Sequence, residues 1–281
     1  MEQLDGPPPC QSLHEAVAKL DKRSVAWFLQ RQGDSVMQRD EDMRTPLLLA
    51  AASGDCATCT LLIRRMAAYD ANAINWPDAS GLTPLHWACT QQRVDAVALL
   101  LQHAAAVTAT DDDERQPLHV AAFSGNARTV SHLLPHVPLD GRSAPSGDGL
   151  TPLHYAALSG SAAVVRLLVE GGAELGALDE GQRSALSWAA GEGHEASVLA
   201  LLQARSTADA ATGKPKHGDK GSAGLDRLDQ GGMTALHHAV KAGSLGCVRA
   251  LLEHGASALQ RSAGGELPEE LVRRGTSNPN P

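Results

Sequence analysis

Aromatic side chains are scarce in this chain of 281 residues, with two Phe, two Tyr and four Trp. Large cores draw much of their buried area from such rings. Their scarcity therefore speaks against one bulky core and for thin layers packed through small residues. Basic residues are outnumbered, 24 Lys and Arg against 32 Asp and Glu, for a net charge of −8. Neutralising a phosphate backbone needs a basic face, so a general nucleic-acid role is not expected. Cysteine is limited to five residues, an odd number without the spacing of a disulfide framework. No apolar run approaches the ~18 residues that span a bilayer. Residues 1–10 lack an apolar signal region, and Glu2 stands where N-myristoylation needs glycine. Neither a phosphate-cradling P-loop nor a Gly-x-Ser-x-Gly elbow occurs. These absences lead us to expect a soluble intracellular protein, cytoplasmic or nuclear, with no catalytic residue, metal or cofactor.

What the chain has in abundance is a recurring phrase. It is complete in Thr83-Pro84-Leu85-His86-Trp87-Ala88 and Thr151-Pro152-Leu153-His154-Tyr155-Ala156. Degraded copies begin at Gln11, Thr45, Gln116, Ser184 and Thr234, so the starts lie 34, 38, 33, 35, 33 and 50 residues apart. The third position is Leu in every copy, from Leu13 to Leu236, and Ala follows three residues later, from Ala16 to Ala239. Leu and Ala three apart share one helix face, and Ala keeps that face thin enough for close stacking. Thr45, Thr83, Thr151 and Thr234 are N-cap candidates, with Pro at the next position in several copies. Gly54, Gly125, Gly160, Gly193 and Gly243 are placed to end the first helix with positive φ. A second helix is expected to bury Val25, Cys59, Val97, Val130, Val165, Val198 and Val248, with Phe28 and the Leu series Leu62 to Leu251 three residues on. Each such Leu contributes ~1.5–3 kcal/mol by burial.

The phrase and its period near ~33 residues resemble the ankyrin repeat, a turn followed by two antiparallel helices. The resemblance runs from about Gln11 to Gly275 and implies an all-α ankyrin-repeat solenoid, each repeat buried only against its neighbours. The expected organisation is a leader at 1–10, an N-terminal capping repeat at 11–44, and repeats at 45–82, 83–115, 116–150, 151–183, 184–233 and 234–265. A truncated C-terminal cap at 266–275 and a disordered tail at 276–281 complete it. A flexible insertion is expected at 204–230, where Lys214, Lys216 and Lys220 form either a solvated loop or a basic docking or modification site. The insertion from Met66 to Pro77 holds Tyr69 and Trp76 and is expected to be ordered. Asn75 falls where the family's finger Asn stands, a position that asparaginyl hydroxylases modify in ankyrin proteins.

The resemblance also bears on side chains that suggest chemistry. It implies that His14, His86, His119, His154 and His237, all in one column, bond to backbone of adjacent turns. His132 and His136 are four apart on a helix but have Pro135 between them, and Cys59 of Cys56-x-x-Cys59 falls in the buried Val column. Packing is expected at both places.

The family's way of working implies a protein partner bound along a concave groove and its loop fingers. Trp87, Phe123, Tyr155 and Trp188 fall on successive first helices, and Leu158 matches Phe123 in register. These five are the expected apolar anchors. Surplus carboxylates on the fingers, in Asp40-Glu41-Asp42, Asp111-Asp112-Asp113-Glu114, Asp148 and Asp179-Glu180, are expected to make an acidic rim that suits Lys or Arg flanking the partner's apolar residues. The function expected is a noncatalytic scaffold or adaptor, monomeric on its own, without nucleic acid or membrane insertion. A regulatory or inhibitory subunit of an enzyme complex is the alternative.

Overall fold

A computed structural model describes residues 9–212 and 224–275, so the Lys214–Lys220 segment and the tail at 276–281 lie outside the described residues. The described residues are helical apart from turns, short 3-10 segments and a single bridge pairing Leu178 with Ser184. The chain divides into two compact units, residues 1–124 with 131–137, and residues 125–130 with 138–281.

In the first unit, first helices α1 (Leu13–Ala18), α3 (Pro46–Ser53), α5 (Pro84–Thr90) and α7 (Pro117–Phe123) alternate with second helices α2 (Lys22–Arg31), α4 (Cys56–Met66) and α6 (Val94–Gln102). The first helices pack successively, α1 on α3, α3 on α5 and α5 on α7, and α1, α3 and α5 are each paired with the helix that follows. The α8 helix (Ala127–Leu133) is shared out between the two units. The second unit holds first helices α9 (Pro152–Ser159), α11 (Ala185–Gly191) and α13 (Ala235–Lys241), and second helices α10 (Ala162–Glu170), α12 (Glu195–Thr212) and α14 (Leu245–Glu253). Its last helix, α15 (Pro268–Gly275), packs against α13.

The start of each first helix is built by the Thr and His of the phrase. Thr83 holds an extended backbone, φ −79° and ψ 168°, and its hydroxyl accepts from the His86 amide. The Thr83 amide in turn donates to His86 Nδ1 at 3.2 Å. Thr234 and His237 repeat this exchange, so His takes the place that Glu or Gln holds in an ordinary capping box. The helix ends are equally regular. Gly54, Gly125, Gly160, Gly193 and Gly243 all have φ between +70° and +82°, where a side chain would clash with the backbone.

The Leu, Ala and Val columns are buried almost throughout, and the exceptions have local causes. Leu186 is half-buried, and its neighbour Ser187 takes the imidazole position, leaving a small cavity of about 50 Å³ beside Leu201 and Ala235. Val248 is half-buried where its column-mates are fully buried, because α14 is the last second helix among the described residues. The stretch from 204 does not begin as a loop. The α12 helix continues to Thr212, carried by Ala204, Ala208, Ala210 and Ala211, the residue type with the highest helix propensity. The 66–77 insertion is tied down by Ala73 and Ile74, both buried, and by a bond from Trp76 Nε1 to Asp70 at 3.1 Å.

Candidate protein-binding surfaces

Five fingers are each organised by one buried or half-buried Asp, whereas Ser262 fills the position in the last. Asp111 Oδ1 accepts from the amides of Asp113 and Arg115, at 3.1 and 2.8 Å, which closes the turn. Asp40, Asp78, Asp179 and Asp229 accept from the amide four residues on in the same way. The second oxygen of each carboxylate holds a side chain in place. Arg44, Arg115 and Arg183 donate through Nε to Asp40, Asp111 and Asp179. Trp87, Trp188 and His238 reach Asp78, Asp179 and Asp229 from the first helix nine residues on, at 2.8, 2.9 and 2.7 Å. Two indoles expected as partner anchors are thus half-buried, with their polar edges turned back to their own fingers. This signal was readable from the nine-residue spacing of Asp and Trp, which sequence reasoning had not used.

In the first unit, Phe123 ends α7 with its ring 59% exposed, while Leu118, Ala121 and Ala122 of that helix are buried. Asp112, Asp113 and Glu114 are exposed on the finger that precedes α7. They are not equivalent, because Asp113 pairs with Arg115 Nη2 at 2.9 Å and the Asp112 amide donates to Ser80 O. Fingers are joined laterally by such bonds, as in Ala79 N–H to Asp42 O at 3.0 Å.

In the second unit, Tyr155 and Leu158 are half-buried on α9, and the Leu158 carbonyl accepts from His194 at 3.1 Å. Trp188 on α11 carries the Arg183 guanidinium 3.7 Å over its ring. The side of α11 next to α13 opens into a groove of about 410 Å³ lined by Arg183, Trp188, Gly191, Glu192, His238 and Lys241.

The histidine column does structural work. His86 Nε2 lies 2.9 Å from Arg115 O, His154 Nε2 3.1 Å from Arg183 O, and His237 Nε2 3.2 Å from Glu266 O. A carbonyl only accepts, so Nε2 carries the proton and Nδ1 is left to accept from the cap amide. Burial pushes the His86 and His154 pKa values below the usual imidazole range. Cys59 is buried beneath α4 with its thiol pushed up to about 12 by desolvation. Asn75 holds structure as well as sequence position, since its Oδ1 accepts from the Ala106 amide at 2.8 Å. Asp226 and Ser143 accept from Ser257 and Glu174 over the same separation, so three different residues fill one role. Among the described residues no cluster of three His, Cys, Asp or Glu is arranged to hold a metal, and no helix is long and apolar enough to cross a membrane.

Comparison with known proteins agrees with this architecture. The chain is 27% identical over 244 residues to the palmitoyltransferase AKR1 of Lachancea kluyveri, covering 84% of this chain and 30% of that protein. It is 29% identical over 181 residues to the neurogenic locus notch homolog protein 1 of Xenopus tropicalis, covering 61% of this chain and 7% of that one. The chain therefore spans less than a third of the length of these curated relatives. Among solved structures, the ankyrin repeat domain of Bcl-3, a member of the IkappaB protein family, superposes with a TM-score of 0.65 at 25% identity, covering 83% of this chain and 98% of that domain. The family profile described as ankyrin repeats, three copies, matches residues 13–111, 118–212 and 176–263. With most of its length matched in this way, the chain belongs to the ankyrin-repeat family.

Proposed function

We propose that the chain is a noncatalytic adaptor that binds a protein partner with the exposed ends of its first helices and the adjoining fingers. Ankyrin repeats imply protein–protein interaction, and the fold is generally noncatalytic. The observation that carries the reading is Phe123, 59% exposed at the end of a helix whose Leu118, Ala121 and Ala122 are buried. In the first unit, Asp112 and Glu114 are exposed on the finger that precedes α7 and offer carboxylates suited to basic residues of a partner. In the second unit, Leu158 and the groove beside Trp188 offer a further contact surface. The relative AKR1 is a palmitoyltransferase by name, but its match covers only 30% of that protein, and no described cluster here suggests chemistry of that kind.

A second reading, a regulatory subunit, draws on the likeness to the ankyrin domain of an IkappaB-family protein. One experiment bears on both. Proteins captured from cell extract by the wild-type chain are compared with those captured by Phe123→Lys and Leu158→Lys, with Leu61→Lys on α4 as an exposed control elsewhere. The adaptor reading expects a defined set of partners lost from the first two variants and kept by the third, provided all melt alike. Assaying any captured enzyme with and without added chain then separates adaptor from inhibitor. Equal capture by all four proteins would refute the proposed face.

A further inference from the structure

Three fingers carry an Asp with an Arg four residues on, and one of them lacks a carboxylate that the other two possess. In Asp40-Glu41-Asp42-Met43-Arg44, the arginine donates through Nε to Asp40 and through Nη2 to Asp42, both at 2.9 Å. In Asp111-Asp112-Asp113-Glu114-Arg115, it pairs likewise with Asp111 and Asp113 at 2.9 Å. In Asp179-Glu180-Gly181-Gln182-Arg183, the Nε bond to Asp179 is kept at 3.0 Å, but glycine stands where the second carboxylate would be. The terminal guanidinium nitrogens of Arg183 are left without a partner among the described residues, although the guanidinium is held over Trp188 at 3.7 Å.

This fixed guanidinium faces the groove of about 410 Å³ between α11 and α13. Two further features favour an anion there. Lys241, the last residue of α13, lines the groove, is exposed, and makes no ion pair among the described residues. Gly191 occupies the position held by Phe123 and Leu158 in earlier repeats, so no side chain fills the space before His238. The Asp179 and Asp229 side chains are almost fully buried and already engaged with Arg183, Trp188 and His238. Of the residues lining the groove, Glu192 brings an exposed carboxylate.

We propose that Arg183, Trp188 and Lys241 form a pocket for an Asp or Glu side chain of an acidic, extended segment of a protein partner. The guanidinium end supplies the fork that matches a carboxylate bidentately. Stacking on Trp188 and the Asp179 bond hold that fork in place before the partner arrives. The proposal rests on the reading that the first-helix face binds proteins and names the chemistry of one contact on it.

The test uses the full chain, labelled with nitrogen-15, and N-acetylated hexaglutamate as the probe, read at the Trp188 indole and Gly181 amide resonances. Saturable shifts are expected with hexaglutamate and none with hexaglutamine. Gly181→Asp places in the finger the carboxylate that Asp42 and Asp113 supply in theirs. It should weaken the probe at least tenfold while melting at or above the wild-type temperature. Lys241→Glu should also weaken it at least tenfold, and Glu192→Gln should tighten it. The pocket is refuted if hexaglutamate does not bind wild type, if hexaglutamine binds equally, or if Gly181→Asp and Lys241→Glu bind as wild type does. A phosphoserine hexapeptide binding tenfold tighter than hexaglutamate would also overturn the carboxylate assignment. Partners lost from Phe123→Lys but kept by Gly181→Asp would remove this pocket and leave the adaptor reading standing. Loss of no partner from either variant would remove the proposed first-helix face itself.

Discussion

His86 Nε2 and the carbonyl of Arg115 lie 2.9 Å apart across 29 residues of chain, so the imidazole at the start of a repeat holds the finger that closes it. The same ring accepts from the Thr83 amide through Nδ1. A single neutral side chain therefore caps its own helix and fixes the neighbouring turn. Protonation at Nδ1 would turn that acceptor toward a donor, and burial adds a desolvation cost. In the second unit His154 joins Thr151 and Arg183 in the same manner. The finger that carries Arg183 is thus positioned by His154 of α9.

Acid should loosen the fold through these rings. Burial lowers the His86 and His154 pKa values below the usual imidazole range, against smaller opposing effects of the bonds to the Arg115 and Arg183 carbonyls. The unfolded chain then takes up protons first, near the ordinary imidazole value of about 6.5. The stabilisation is fully present above that value and is lost as pH falls from it through the lower folded-state values. Melting temperature measured from pH 8 to pH 5 should fall, and the fall should be smaller in a His86→Gln, His154→Gln double variant. An equal slope in both proteins would assign the acid sensitivity to other groups.

Trp188→Phe isolates the indole bond to the finger. The change keeps a ring beneath Arg183 but removes the donor to Asp179, whose side chain is only 2% exposed. Hydrogen bonds to charged groups contribute about 1.5–3 kcal/mol, and the remaining Arg183 bond offsets part of the loss. Urea unfolding should show destabilisation of about 1–2 kcal/mol. An unchanged midpoint would mean that stacking alone sets the ring's position.

Thiol reactivity should rank the cysteines by burial. All five are free, and Cys56 is the one that is only partly buried. Cys59 has its pKa pushed up to about 12, which leaves on the order of 10⁻⁴ of it as thiolate at pH 8. A maleimide should label Cys56 first in the native protein. Cys59, Cys89 and Cys247 should react only as the protein unfolds, and peptide mapping of partial labelling reads the order directly.

The repeat was legible in the sequence because each column answers one steric need. Ala at the thin face, Thr at the cap and Gly at positive φ leave few substitutes, and their 33-residue recurrence makes the pattern visible. The functional face was less legible, because its residues answer to a partner and follow no internal rule. Trp87 and Trp188 show the difficulty. Their spacing suggested anchors, yet their indole nitrogens are bonded to Asp78 and Asp179. The Asn75 role was hidden for a related reason. Any short acceptor satisfies the facing amide, so Ser143 and Asp226 fill it without resembling asparagine. The helical continuation to Thr212 is masked in the sequence by the Lys and Gly beyond it, which signal a loop.

A pair of substitutions separates binding from folding at adjacent helices. Phe123 is 59% exposed at the C-terminal end of α7, and Leu133 is fully buried at the end of α8. Phe123→Lys removes an exposed ring and sets a cation at a helix C-terminus, where the macrodipole favours positive charge. Its effect on stability should stay within about 0.5 kcal/mol, whereas removal of a binding hot spot costs about 2 kcal/mol or more of affinity. Leu133→Ala instead empties a packed site and should cost about 2–5 kcal/mol of stability. At a permissive temperature it should leave affinity for a captured partner close to wild type, because Leu133 is buried and presents no surface of its own. Melting curves and titration of one captured partner, run on both variants, decide the matter. If Phe123→Lys unfolds the protein, the ring contributes to the core despite its exposure. If it folds and binds unchanged, the partner contacts a different surface, and the Asp112 to Glu114 finger becomes the next place to substitute.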